Sequence, residues 1–216
     1  MKTIAIVGAG GFAREVAWLI QDISSAAKRT NGIEQYRFEG FLVSDLSKVT
    51  TQDSAVLGDF TWLEHTKIDM LAMGIGNPFV RFRLAGLLQE RFPEIQWPAL
   101  VHPSAIYDRE RVSFSDGVTV SAGCILTTNI TIGRFSMLNL TCTVGHETSI
   151  GEAVVVNPLT AISGGAKIGN RVLIGTHAAV LQYVSIGHDS VIGAGALVNK
   201  DVPPGVTVTG VPAKPR

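Results

Sequence analysis

The run TSIGEAVVVNPLTAISGGAKIGNRVLIG, residues 148–175, decides the fold, because an aliphatic side chain returns in it at every sixth position: Ile150, Val156, Ile162, Ile168 and Ile174. Worked outward, the comb continues down through Val144, Leu138, Ile132, Leu126 and Val120 and up through Val180, Ile186, Ile192 and Val198. A second comb of small or compact residues, from Val118 and Cys124 to Ala196 and Val202, keeps the same period. A helix repeats every 3.6 residues and a free-standing strand every two, so a sustained period of six belongs to a β-solenoid of short strands and corners. Three hexads close one triangular coil of about eighteen residues, and stacked coils bury a continuous aliphatic column. Glycine follows the comb residue in Ile132-Gly133, Ile150-Gly151, Ile168-Gly169, Ile174-Gly175, Ile186-Gly187 and Ile192-Gly193. The expectation is that these glycines take positive φ at the corners.

The 216 residues are 46% hydrophobic and 17% charged, which suits one or two domains with a sizeable core. The formal charge is zero and there is no basic run, which argues against a nucleic-acid partner. No apolar run approaches the ~20 residues of a membrane span, and Lys2 before a short apolar run makes a poor signal peptide, so a cytoplasmic location is expected. Cys124 and Cys142 are eighteen residues apart and should stack as two reduced thiols.

Before the solenoid the chain reads as α/β. Residues 3–7 are a short apolar strand running into Gly8-Ala9-Gly10-Gly11-Phe12-Ala13, with a helix from Arg14 to about Ala27. Gly8, Gly10 and Ala13 fit the turn that presents backbone amides and a helix N-terminus to a phosphate, or simply a tight strand-to-helix turn. Residues 24–35 read as an extended loop and residues 36–43 as the next strand, so Asp45 comes too late for the acidic residue of a nicotinamide site. Leu57-Gly58-Asp59 opens a connecting segment, residues 68–75 form a buried strand, and Gly76-Asn77-Pro78 turns into a helix over residues 79–91. Arg81 and Arg83 would lie early on that helix, near a crevice or in solvent. Ile95-Gln96-Trp97 is expected as a fourth strand, and Pro98 marks the boundary between domains 1–98 and 99–216. So short a first domain suits one nucleotide better than two.

The sequence resembles the hexapeptide-repeat sugar acyltransferases of bacteria that carry a small Rossmann-like N-terminal domain. They include the sialic-acid O-acetyltransferase type and the N-acetyltransferases of nucleotide-linked 4-amino-4,6-dideoxysugars. Gly8 to Ala17, Ile75-Gly76-Asn77 with Arg81, and Val101-His102-Pro103-Ser104-Ala105 carry the likeness, which runs end to end. The resemblance implies a left-handed β-helix; periodicity alone would have favoured the right-handed connection usual for β-crossovers. It also implies acetyl-coenzyme A as cosubstrate without a metal, a nucleotide-sugar acceptor, and a homotrimer with each coenzyme between two subunits.

Five histidines compete for the chemistry. His65 lies in a polar connection, and His102, at the start of the solenoid, suits a hydrogen-bonded structural role. His177 and His188 lie in the repeats, as does His146, which has Thr128 and Gly164 eighteen residues to either side. Glycine at 164, with Gly165 beside it, should leave a gap next to the imidazole and turn a backbone N–H toward it. Acyl transfer to an amine needs a proton acceptor, for which histidine is suited, and a carboxylate such as Glu147 to orient it. The Gly164 amide is the expected oxyanion donor. The resemblance adds an acceptor-binding role for Asn139, a base-recognition region at Val43-Ser44-Asp45 where relatives often have two aspartates, and Phe12 where they often have histidine. It adds a coenzyme surface at Gly164, Gly165, Val155 and Lys214, with Val155 standing where some relatives have a second histidine. The reading is therefore N-acetylation of a nucleotide-linked amino sugar for surface-glycan assembly. The rivals are sugar O-acetylation and a non-catalytic nucleotide-binding solenoid. The base (UDP, TDP, GDP or CMP) is left open.

Overall fold

The computed structural model describes residues 1–49 and 55–216. Strand β1 (Lys2–Val7) lies between β2 (Tyr36–Val43) and β4 (Met70–Met73), and β3 (Val56–Asp59) pairs with β2, giving a four-stranded sheet in the order 3-2-1-4. All three pairings are parallel. The chain leaves β1 toward one side of the sheet and returns on the other, so a crevice opens beyond the carboxyl ends of β1 and β4. Helix α1 (Gly11–Asn31), the short α2 (Trp62–His65) and α3 (Pro78–Arg91) complete this unit.

Three local expectations change. Residues 24–31 continue α1 rather than forming a loop, because Ser24 is buried and exchanges hydrogen bonds with Tyr36. The helix ends only at Gly32, which takes φ +79°. The segment at Leu57-Gly58-Asp59 is an edge strand rather than a connection. In place of a fourth buried strand, residues 95–97 make a single bridge, Met70 to Gln96.

From Leu100 onward the chain winds as a triangular prism, the left-handed β-helix of the hexapeptide repeat. The first face carries the strands at 100–101, 119–120, 137–138, 155–156, 173–174, 191–192 and 207–209. The second runs from Ile106–Tyr107 to Leu197–Val198, and the third from Val112–Phe114 to Ser185–Ile186. Pairs eighteen apart, such as Met137 with Val155 and Thr143 with Ala161, set the coil length. The first coil is one residue longer, since Leu100 pairs with Thr119 and Ile106 with Ile125. Every residue of the aliphatic comb, Val120 to Val198, is buried, and so is every residue of the second comb, Val118 to Val202. Cys124 and Cys142 are free thiols in that column, donating to Asn139 O at 3.0 Å and Asn157 O at 3.2 Å.

The glycine reading is corrected in its reason. The residues at positive φ come two places later in the hexad and are mostly not glycine: Asn129, Phe135, Thr141, Glu147, Ala153, Leu159, Arg171, His177, Tyr183 and Asp189 all lie between +54° and +62°. The comb-adjacent glycines are needed for close approach. A Cβ on Gly133 would sit 2.5 Å from Gly151 O, and one on Gly151 2.5 Å from Asn170 Oδ1. The next coil occupies that space. Gly133→Ala should therefore destabilise the protein by about 1–3 kcal/mol in urea denaturation, the usual cost of overpacking; an unchanged midpoint would place the requirement elsewhere.

Candidate functional site

Two separate places gather polar function. At the crevice, Gly8 takes φ +103°, and a Cβ there would stand 2.7 Å from Ile75 Cδ1 and 3.1 Å from Gly74 O. Gly10 and Gly11 face open space, and Gly10 caps α1 with no side-chain bond to its first amides. No acidic residue lies in that first turn, so the amides and the helix dipole are left to an anion. Ala13 is fully buried, and a Cβ on Gly74 would come within 2.7 Å of its methyl. Its side chain packs α1 onto β4 and is closed to any ligand. Asn77 caps α3, accepting from Phe79 N at 3.0 Å and Val80 N at 3.1 Å. Asp45 stands past the end of β2 on the same rim, and its Oδ1 accepts from the Ser47 amide and hydroxyl.

Arg81 is corrected. It neither lines the crevice nor meets solvent; it is 0% exposed. Its Nε donates to Phe135 O and its Nη1 to Ile75 O at 2.6 Å and Met73 O at 3.3 Å, while Nη2 has no partner among the described residues. Burial pushes its pKa down to about 9, so it stays protonated at neutral pH, with the Phe12 ring 5.7 Å from its guanidinium carbon. Phe135 belongs to the solenoid edge between the third and first faces, where Trp97 packs edge-on against its ring at 5.0 Å. Arg81 thus ties the end of β4 to the prism. The partners are backbone carbonyls, which is why no sequence pattern announced it. A second tie joins His102 Nε2 to Asp22 Oδ2 at 3.1 Å while Nδ1 accepts from Ser104 N at 3.0 Å, the structural role expected of that histidine.

The other place is the edge between the second and third faces. His146 and Glu147 stand on it with Gly164 and Gly165 one storey above. The His146 side chain is 56% exposed, outside the prism. Its ring has folded up onto Gly164, where a Cβ would lie 2.6 Å from Nε2 and 2.7 Å from Cε1. The expected gap is therefore filled by the imidazole itself, and Gly164 is buried beneath it. Among the described residues the Gly164 N–H donates to no carbonyl, whereas Ser163 N and Gly165 N are both bonded. His146 Nδ1 stands 3.7 Å from Glu147 Oε2, an ion-pair distance too long for a hydrogen bond. Glu147 itself is at φ +59°, its amide bonded to Thr128 O.

The remaining candidates do not join this edge within one chain. Asn139 occupies the corner between the first and second faces, buried to 8% exposure, its Oδ1 accepting from Leu140 N at 2.8 Å. Val155 is corrected as a coenzyme contact: it is 1% exposed on the first face, like Thr119 and Met137 below it. Lys214 is paired with Thr209 in an antiparallel strand that adds to the first face, so the tail is ordered, on a different face.

Sequence reading missed one network. Arg171 binds Asp189 through two bonds of 2.6 and 2.8 Å, and His188 Nδ1 stands 2.8 Å from Asp189 Oδ2. The guanidinium also lies over the Phe82 ring of α3 at 4.8 Å. The eighteen-residue spacing of Arg171 and Asp189 was the available signal. It is a better-formed histidine–carboxylate pair than His146–Glu147, but Arg171 already occupies its carboxylate, and the storey above it is Pro204-Gly205, whose proline has no N–H to offer.

No curated protein matches the sequence significantly. The profile described as Bacterial transferase hexapeptide (six repeats) matches residues 165–200. Among solved structures, WeeI from Acinetobacter baumannii is 29% identical with a TM-score of 0.83, each chain covering 100% of the other. The acetyltransferase domain of PglB from Neisseria gonorrhoeae, in complex with acetyl coenzyme A, is 26% identical with a TM-score of 0.84, over 100% of this chain and 99% of that one. Perosamine N-acetyltransferase from Caulobacter crescentus, a histidine-to-asparagine mutant in complex with CoA and GDP-perosamine, is 26% identical with a TM-score of 0.81, over 100% and 97%. Repeat, prism and end-to-end likeness make the chain similar to the hexapeptide transferases, and the solved structures it resembles include acetyltransferases. The likeness to these structures covers the α/β unit as well as the prism.

Two outcomes test this geometry. Arg81→Lys should lower stability by about 1–3 kcal/mol in urea unfolding, because one ammonium cannot serve three divergent carbonyls; a change confined to acceptor KM would instead make Arg81 a ligand contact. Arg171 holds the Asp189 carboxyl down to about 2, aided by His188 against some desolvation. A depressed carboxyl contributes stability above its unfolded pKa of ~3.9, and that stability is lost as pH falls toward 2. Asp189→Asn should accordingly shrink the drop in urea midpoint between pH 5 and pH 2.5.

Proposed function

We propose that the chain is an acetyl-coenzyme A-dependent N-acetyltransferase that modifies the amine of a nucleotide-linked 4-amino-4,6-dideoxyhexose in surface-glycan assembly. The observation that carries the reading is the edge at His146: a half-exposed imidazole laid over a glycine whose N–H is unpartnered. The chain bearing that edge is alike end to end with an N-acetyltransferase holding CoA and GDP-perosamine. Residues 1–98 serve as the nucleotide-sugar unit, with the diphosphate on the amides of Gly10, Gly11 and Phe12. Asn77 and Asp45 sit at the rim, and residues 99–216 serve as the transferase unit.

In this reading the neutral sugar amine attacks the thioester carbonyl carbon. The C–N bond forms while the carbonyl π pair moves onto oxygen, and His146 Nε2 takes a proton from nitrogen. Glu147, on the Nδ1 side, stabilises the imidazolium. The Gly164 N–H donates to the oxyanion. Collapse re-forms the carbonyl, breaks the C–S bond, and the thiolate leaves as the thiol after taking the proton from His146. No metal enters this chemistry.

The placement of the candidate groups supports a homotrimer. The crevice and α3 adjoin the edge of Phe135 and Arg171, whereas His146 stands on a different edge and Asn139 on the third. A second copy brings one chain's Asn139 corner and crevice toward another's His146. Such an enzyme draws on the cytoplasmic pools of nucleotide sugar and acetyl-coenzyme A. Amine rather than hydroxyl is favoured as nucleophile because the full-length likeness includes a sugar N-acetyltransferase.

His146→Asn, assayed by thiol release with a panel of UDP-, TDP-, GDP- and CMP-linked sugars, should cut kcat by about 10²–10⁴ without changing the melting temperature, the usual worth of a general base. Transfer at the wild-type rate would remove His146 from the mechanism. Nucleotide binding with no acyl transfer to any acceptor would instead mark a binding module.

A further inference from the structure

The edge that carries His146 bears a second ring. Tyr183 lies eighteen residues beyond Gly165, with its amide donating to Gly164 O at 3.0 Å, and its ring folds down so that Cδ1 and Cε1 fill the place a Cβ on Gly165 would take. From below, the His146 imidazole fills the corresponding place at Gly164. Two successive residues without side chains are thus roofed from opposite storeys by two rings. The arrangement is stiff: Gly165 N donates to His146 O at 2.7 Å, and Gly165 and Tyr183 both hold left-handed backbone, at +70° and +61°. Tyr183 nevertheless remains 68% exposed, and its phenol has no partner among the described residues. Packing the prism does not require this side chain.

We propose that Tyr183 sets the length of the acyl group transferred, closing the Gly164–Gly165 storey so that a two-carbon acyl fits beside His146 and longer chains do not. This rests on the acyltransferase reading above. Storeys rise ~4.8 Å each, so the His146 and Tyr183 backbones start ~10 Å apart with the glycine storey between them. Both rings fold inward over that storey, and an aliphatic carbon touching each needs ~3.5–4.0 Å on either side. With both rings already folded over the glycine storey, a methyl group needs only a small shift of them, whereas an extended chain must displace the phenol. Glycine at both 164 and 165 is what allows the two rings to converge, since a side chain at either would meet the ring above or below it.

The test compares acetyl-, propionyl- and butyryl-coenzyme A as donors, using whichever nucleotide-linked 4-amino-4,6-dideoxyhexose the wild type acetylates. Tyr183→Ala should raise the butyryl-to-acetyl ratio of kcat/KM by about tenfold or more, in the range that one or two methylenes command in a fitted pocket. Tyr183→Phe should leave the ratio unchanged, because the ring and not the hydroxyl forms the wall. If Tyr183→Ala does not fold, Tyr183→Trp decides instead, by depressing propionyl transfer more than acetyl. An unchanged ratio in a folded, acetyl-transferring variant overturns the proposal and leaves the enzyme reading intact. A wild type that acylates no amino sugar from any donor removes both.

Discussion

Coil-to-coil contact at a spacing of eighteen residues is the constraint on which this molecule depends. Backbone N–H groups of one storey reach the carbonyls of the next, as Met137 N does to Val154 O and Gly145 N to Ile162 O. That spacing fixes the register of everything on the surface. It forces glycine where the storeys approach closely, and it imposes left-handed backbone on residues as different as Thr141, Glu147 and Tyr183. It also aligns side chains eighteen apart into columns, so a functional group on an edge has its neighbours chosen by arithmetic. His146 over Gly164, Tyr183 over Gly165 and Arg171 beside Asp189 are three results of the same rule.

At the His146 edge the column of side chains is interrupted. Ring-bearing residues stand above and below a storey that lacks side chains, and among the described residues the amide of Gly164 has no acceptor. Along the edge between the third and first faces, side chains satisfy one another. Arg134 pairs with Glu152, Arg171 with Asp189, and Asn170 accepts from Glu152 N. That edge ties the prism to the α/β unit, whereas the His146 edge is open.

The α/β unit is fixed to the prism by contacts of another kind. Arg81 carries a full positive charge into a buried site with no carboxylate, held by the carbonyls of Phe135, Ile75 and Met73. Such an arrangement tolerates little displacement, because moving the prism by the length of a hydrogen bond would leave the guanidinium without compensation. Together with Asp22–His102 and the Phe82–Arg171 stack, it sets the crevice at one edge while the His146 edge faces elsewhere. That separation leaves the crevice and the His146 edge on different sides of one chain.

Much of this could be read from the chain alone. The comb from Val120 to Val198 gave the solenoid and its inward faces, because burial in a repeating prism depends only on period and side-chain size. The stack of His146 on Gly164 was legible for the same reason. Gly8 and the strand-to-helix turn were legible because few residues tolerate that backbone. What the sequence left undecided depends on where rings and carbonyls point. The imidazole fills the gap that glycine makes, Val155 is covered rather than open, and Arg81 faces inward onto backbone oxygens that no pattern of side chains encodes. Period determined the prism, whereas contacts between the two units, which have no period, decided what each edge was free to do.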